Sequence, residues 1–176
     1  MKSTEVYREI NRSISSKLRP HGFRKTKSGM LGFYKLLKEH YLIVWFQCSQ
    51  DGFDKYAGSK FIVEIQISKS NLIGDESVLR QRIPFFMTEF ELEVIAKTEN
   101  EIVAKLPKPP RSYFIFSLPE DVQRRYLKKF EKISKKYNNS SDIWFVYFNQ
   151  SDIEKWLETI EPIIIRAICD LEKTDY

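Results

Sequence analysis

The chain has 176 residues, of which 42% are hydrophobic and 14% aromatic, and a net charge of +5 at pH 7. That length fits one domain, able to bury roughly 70% of its unfolded surface, and that composition is globular rather than disordered. Two cysteines, Cys48 and Cys169, form no C-x-x-C pair, which argues against a disulfide framework or a zinc site and suits free thiols in a reducing compartment.

The N-terminus leads into an amphipathic stretch, and no apolar run is long enough to cross a membrane. The expectation is a soluble, cytoplasmic protein. Charge is segregated along the chain: residues 1–50 carry +7, residues 51–110 −2, residues 111–142 +4 and residues 143–176 −4. Two basic blocks therefore alternate with two acidic ones, which either steer an anionic partner or neutralise one another in the fold.

Val6, Ile10, Ile14 and Leu18 recur every four residues and predict a helix over 4–18, capped by Ser3 or Thr4. Pro20 and Gly22 stop it and turn the chain. A meander of antiparallel strands follows at roughly 23–27, 31–37, 41–48 and 60–68. The run 41–48 is apolar on both faces, as in a central strand. In 60–68, Phe61, Val63, Ile65 and Ile67 alternate with Ile62, Glu64, Gln66 and Ser68, which predicts one packed and one at least partly wet face.

Beyond Asn71 the pattern turns helical. A short helix is expected over 75–83, capped by Asp75. Thr88 and Glu91 form a T-x-x-E capping box that opens a helix over 89–105, with Phe90, Val94, Ile95, Ile102 and Leu106 inward. The alternation of Glu89, Glu91 and Glu93 with Phe90, Leu92 and Val94 offers a rival strand, but the spacing beyond 94 favours helix. Pro107, Pro109 and Pro110 make a stiff connector, and 113–116 reads as an edge strand or packed loop. Val122, Tyr126, Phe130, Ile133 and Tyr137 give a helix over 120–137 its buried stripe. A final strand is expected at 143–148. Ser151 and Glu154 then box the start of a last helix over 152–171, in which Pro162 predicts a kink or break.

Sites of chemistry are sparse. No phosphate-binding glycine loop, dinucleotide fingerprint or nucleophile elbow occurs, and His21 and His40 read as a turn residue and a strand start. Catalytic residues, metal ligands and cofactors are therefore expected to be none. One acidic arrangement resembles a metal-dependent nuclease: Asp54 precedes a strand carrying Glu64-Ile65-Gln66, with Lys69 beyond. The plainer reading puts Glu64 and Gln66 on the solvent side of the strand. Arg80 and Arg82 add little to an anion site, since a spacing of two on the expected helix parts them. The candidate binding residues are Arg124, Arg125, Lys128, Lys129, Lys132, Lys135 and Lys136, seven cations in thirteen residues. Such a face neutralises phosphates, or is simply solvated and partly paired with the acidic last helix.

The segment Leu18-Arg19-Pro20-His21-Gly22-Phe23-Arg24-Lys25 and the meander after it resemble a family of uncharacterised bacterial domains that open with a helix ending in L-x-P-x-G-F-x-[KR]. Arg80-Gln81-Arg82-Ile83 and the stretch from Asp142-Ile143-Trp144 to Trp156 add to the likeness. The resemblance carries fold rather than catalytic residues, and it allows a toxin-neutralising immunity protein without requiring one. The reading is a single α+β domain. It has an antiparallel sheet of about five strands with helices mainly on one face, and a largely helical insertion at about 71–140. The function expected is non-enzymatic binding of a protein partner, with nucleic-acid binding through helix 120–137 as the alternative.

Overall fold

The computed structural model describes residues 1–27, 29–107 and 143–174. Its frame is an antiparallel meander of β1 (Arg24–Lys25), β2 (Leu31–Leu37), β3 (His40–Cys48), β4 (Ser59–Ser68) and β5 (Ser77–Arg82), hydrogen-bonded in that order. The first pairing is short, but the Thr26 amide still donates to the Gly32 carbonyl at 2.9 Å. A sixth strand, β6 (Phe145–Tyr147), also pairs antiparallel with β4, opposite Ser59 to Phe61. Because β3 occupies the other side of β4, β5 and β6 lie end to end along one edge of it. Gly58 permits the turn into β4, with φ at 65° and so little room that an added Cβ would come 2.2 Å from the Tyr147 carbonyl oxygen.

Registered partners in a ladder share a face, so the pairings sort the side chains. One face carries Leu31, Phe33, Leu42, Val44, Phe46, Phe61, Val63, Ile65, Ile67, Phe145 and Tyr147, all in the main core. The described helices cover that face: α1 (Ser3–Leu18), α2 (Glu89–Val103) and α3 (Gln150–Leu171). The fold is thus α+β with an open antiparallel sheet. In α1 the expected stripe of Val6, Ile10, Ile14 and Leu18 is at most 1% exposed, and each of these side chains contributes roughly 1.5–3 kcal/mol by leaving water. Trp156 of α3 lies against Phe145 and donates its indole N–H to the Val146 carbonyl at 2.6 Å.

Several expectations change. The first helix is capped by neither Ser3 nor Thr4, which lie inside it, but begins after Lys2, whose amide donates to the Glu5 carboxylate. Residues 75–83 are not a helix: Ser77–Arg82 is β5, and Asp75 is bonded to Ser70 in the turn before it. Within the stretch read as a helical insertion, this segment therefore belongs to the sheet. The last helix starts at Gln150, and its cap is Asn149, whose side chain accepts from the Asp152 amide, while Asp152 accepts from the Phe148 and Asn149 amides. Of the kink or break expected at Pro162, the break does not occur: the helix runs on through it, and Pro162 and Glu158, whose carbonyl it leaves without a donor, both face water. The T-x-x-E box does open α2 at Thr88, but Phe90 is 71% exposed, leaving Ile95 and Ile102 as its buried apolar contacts. The readings of 113–116 and of helix 120–137, with its seven cations, lie outside the described residues.

Candidate functional site

The second face of the sheet holds the candidate site. It was expected to be partly wet, yet Glu64 is 7%, Gln66 0% and Ser68 1% exposed. Gln66 explains part of this. Its side-chain nitrogen donates to Ser68 Oγ at 3.0 Å and to the Leu72 carbonyl at 3.1 Å, and its oxygen accepts from the Gly74 amide at 2.9 Å. The amide thereby folds the β4–β5 connection back over the strand, and Ile73 reaches Gly32 of β2.

Glu64 is buried for a different reason. On a strand, a spacing of two puts Arg80 and Arg82 on the same face, and β5 places them opposite Gln66 and Glu64. Arg80 Nε lies 2.8 Å from Glu64 Oε2, and Arg82 Nε lies 3.7 Å from Oε1. The Arg80 guanidinium also sits 5.3 Å from the ring centre of Trp45, the residue opposite Glu64 on β3. Arg82 lies 5.3 Å and the Lys60 ammonium 4.9 Å from the ring centre of Trp144, just before β6. The end-to-end placement of β5 and β6 makes this meeting possible. Cations over indole faces are attracted by the ring quadrupole.

The result is a row in which Arg80 and Arg82 flank the buried Glu64 carboxylate, Arg80 lies over Trp45, and Arg82 and Lys60 lie over Trp144. Glu64, Arg80, Gln81, Arg82 and the 61% exposed Phe85 line a cleft of about 330 Å³. The Trp45 indole nitrogen is buried without a hydrogen-bond partner among the described residues. Reading 75–83 as a helix hid this site. The signal that reveals it is the i, i+2 pair of arginines in Ser77-Val78-Leu79-Arg80-Gln81-Arg82, taken with period two.

The acidic arrangement does not assemble. Asp54 accepts from the Tyr56 and Ala57 amides at 2.7 and 2.9 Å and closes its own turn, Glu64 is held by arginines, and Lys69 is exposed. Among the described residues no cluster of His, Cys, Asp and Glu is fit to hold a metal. A second groove, of about 760 Å³, opens between the start of α1 and the β3–β4 loop over Tyr7, Cys48, Ser59 and Tyr147. Burial pushes the Cys48 thiol up to about 11 and the Tyr147 hydroxyl up to about 12, against the hydrogen bonds that lower them. This floor is neutral at physiological pH and offers no nucleophile or base.

Comparison with family models, curated proteins and solved structures finds no match for the chain. No helix among the described residues is long and apolar enough to cross a membrane.

Proposed function

We propose that the chain is a non-enzymatic binding protein that engages a protein partner through the outer part of its second sheet face. The observation that supports this most is the meeting of Arg80, Arg82 and the exposed Phe85 around one cleft. Arginine and aromatic side chains are the residues in which binding energy concentrates at protein interfaces. A toxin that the protein masks is the kind of partner that the likeness to uncharacterised bacterial domains allows.

Nucleic-acid binding is the second reading, favoured by cations and tryptophans on one sheet face. Stacked bases, however, need open ring faces, and here Arg80 covers Trp45 while Arg82 and Lys60 lie over Trp144. The protein reading therefore ranks first.

Purification of the tagged full chain from its native host tests it. The expected result is a protein partner in stoichiometric amount that is lost from Phe85→Glu, a change at an exposed position that leaves the fold intact. Absence of such a partner, or its full retention by Phe85→Glu, overturns the reading.

A further inference from the structure

We infer that the outer edge of β1 is a docking edge for an acidic extended segment of a protein partner, which adds to the sheet as a strand and sets carboxylates against Arg24 and Lys25. The inference takes its class of partner from the protein-binding reading and adds to it a second contact with its own chemistry.

Unpaired charge marks the edge. Residues 10–38 hold eight lysines and arginines and no aspartate or glutamate. Arg12, Lys17 and Lys35 are paired with Glu154, Glu161 and Glu172. Arg19, Arg24, Lys25 and Lys27 are exposed, and none of the four has an ion pair among the described residues. Four cations that the fold leaves unmatched therefore lie together, at and beside one rim of the sheet.

They are also held in place. Gly22, at a φ of 82°, closes the turn after α1 with its amide on the Arg19 carbonyl at 2.9 Å. Phe23 and Thr26, both buried, anchor the chain on either side of Arg24 and Lys25. Groups fixed before a partner arrives lose little freedom on binding.

Backbone geometry names the occupant. β1 is the last strand of the sheet on its side, and none of the described residues pairs with its outer edge. The Thr26 amide donates inward to the Gly32 carbonyl, so by the alternation of an antiparallel ladder the Lys25 amide and carbonyl point outward. Arg24, opposite Tyr34, and Lys25, opposite Phe33, project to opposite faces of the sheet. A nucleic-acid backbone is a single line of charge and follows one side of such an edge. An added strand meets both cations, because its own side chains alternate in the same way, and its backbone bonds to Lys25. Acidic residues are the complement. β1 of a second copy is excluded as the added strand, because it would set like charges opposite each other. Charge on an edge also keeps sheets from joining indiscriminately; here it selects the sign of what joins.

The test titrates the full ¹⁵N-labelled chain, at physiological salt, with peptides of one β-prone sequence carrying a central Glu-Glu, Gln-Gln or Lys-Lys pair, and with a single-stranded oligonucleotide. Saturable shifts confined to the amides of 22–27 and 33–35 with the Glu-Glu peptide are expected, together with slowed hydrogen exchange at the outward Lys25 amide. Two exposed charge pairs amount to about tenfold in affinity. The Gln-Gln peptide should bind more weakly by that factor, and the double variant Arg24→Gln/Lys25→Gln should lose the Glu-Glu peptide by the same factor. Arg12→Gln/Lys17→Gln removes equal charge from paired sites and should change the affinity by less than about twofold. Equal response to the Gln-Gln peptide, equal loss in both double variants, shifts without protection of Lys25, or a response to the oligonucleotide alone overturns the docking edge. No saturable shift with any peptide also overturns it and leaves the cations as guards of the rim. If the native partner is still lost from Phe85→Glu while the Glu-Glu peptide fails, the docking edge falls and the protein-binding reading stands.

Discussion

Cys48 closes β3 with its thiol among aromatic hydroxyls. Its own amide donates to Tyr7 Oη at 3.2 Å, and burial outweighs the hydrogen bonds from Tyr7 and Tyr147 that favour the thiolate. With the thiol pushed up to about 11, the nucleophilic form is scarce near neutral pH. Iodoacetamide at pH 8 should therefore modify Cys48 only as fast as the fold opens, with the rate rising by orders of magnitude past the urea midpoint. Peptide mass spectrometry of timed samples measures this, and labelling of the native protein at the rate of a free thiol would refute it. The same scale decides the candidate site. Arg80 and Arg82 are identical in sequence terms whether on helix or strand, yet only on a strand do they reach one carboxylate.

Among the elements, α2 shows how a local motif is tied to the whole. Thr88 Oγ1 accepts from the Glu91 amide at 3.2 Å and Glu91 Oε2 accepts from the Thr88 amide at 2.7 Å, closing the box. Arg166 of α3 then donates to the same Oε2 at 2.6 Å and to the Phe86 carbonyl at 2.9 Å. Burial alone would raise the Glu91 carboxyl, but the Thr88 amide, the Arg166 guanidinium and the Thr88 hydroxyl hold it below the usual range. A carboxyl lowered in the folded state lends stability that is complete above its unfolded value, about 4.3, and is lost as pH falls through the folded value. Glu91→Gln should consequently lose less in Tm than the wild type between about pH 5 and about pH 2. Parallel Tm curves over that range would show that the box and its arginine add no acid sensitivity.

Across the whole molecule, the segregated charges meet in the fold. Arg12 of α1 lies 3.3 Å from Glu154 of α3, Lys17 lies 3.1 Å from Glu161, and Lys35 of β2 lies 2.6 Å from Glu172. The basic N-terminal block and the acidic C-terminal block thus meet in ion pairs, two of them along the α1–α3 seam. Their acidic partners are engaged there, whatever else the chain binds. The energy of that seam resides beneath the charges. Ile10→Ala should cost roughly 2–5 kcal/mol, whereas Lys17→Ala, at a pair whose lysine is mostly in water, should cost about 0.5 kcal/mol or less. Urea unfolding of the two variants measures both, and equal losses would place the ion pairs, not the stripe, at the centre of the packing.

Sequence alone determined the features that depend on neighbours in the chain. The stripe of Val6, Ile10, Ile14 and Leu18, the stop at Pro20 and Gly22, the alternation in 60–68 and the box at Thr88 each satisfy a local rule of period, φ or orphan amide. They therefore yield the meander, the helices and the α+β class. What those rules leave open is decided by partners distant in the chain. Six residues at 77–82 are too few for their periodicity to tell helix from strand, and the free edge of β4 made them a strand. Glu64 and Gln66 look like a wetted face until a connection bonded to Gln66, an arginine bonded to Glu64 and a second one paired with it cover them. Trp144 meets Arg82 only because β5 and β6 share an edge. The candidate site is built from these long-range contacts, since burying a charge requires counter-charges that only the tertiary fold can bring to it.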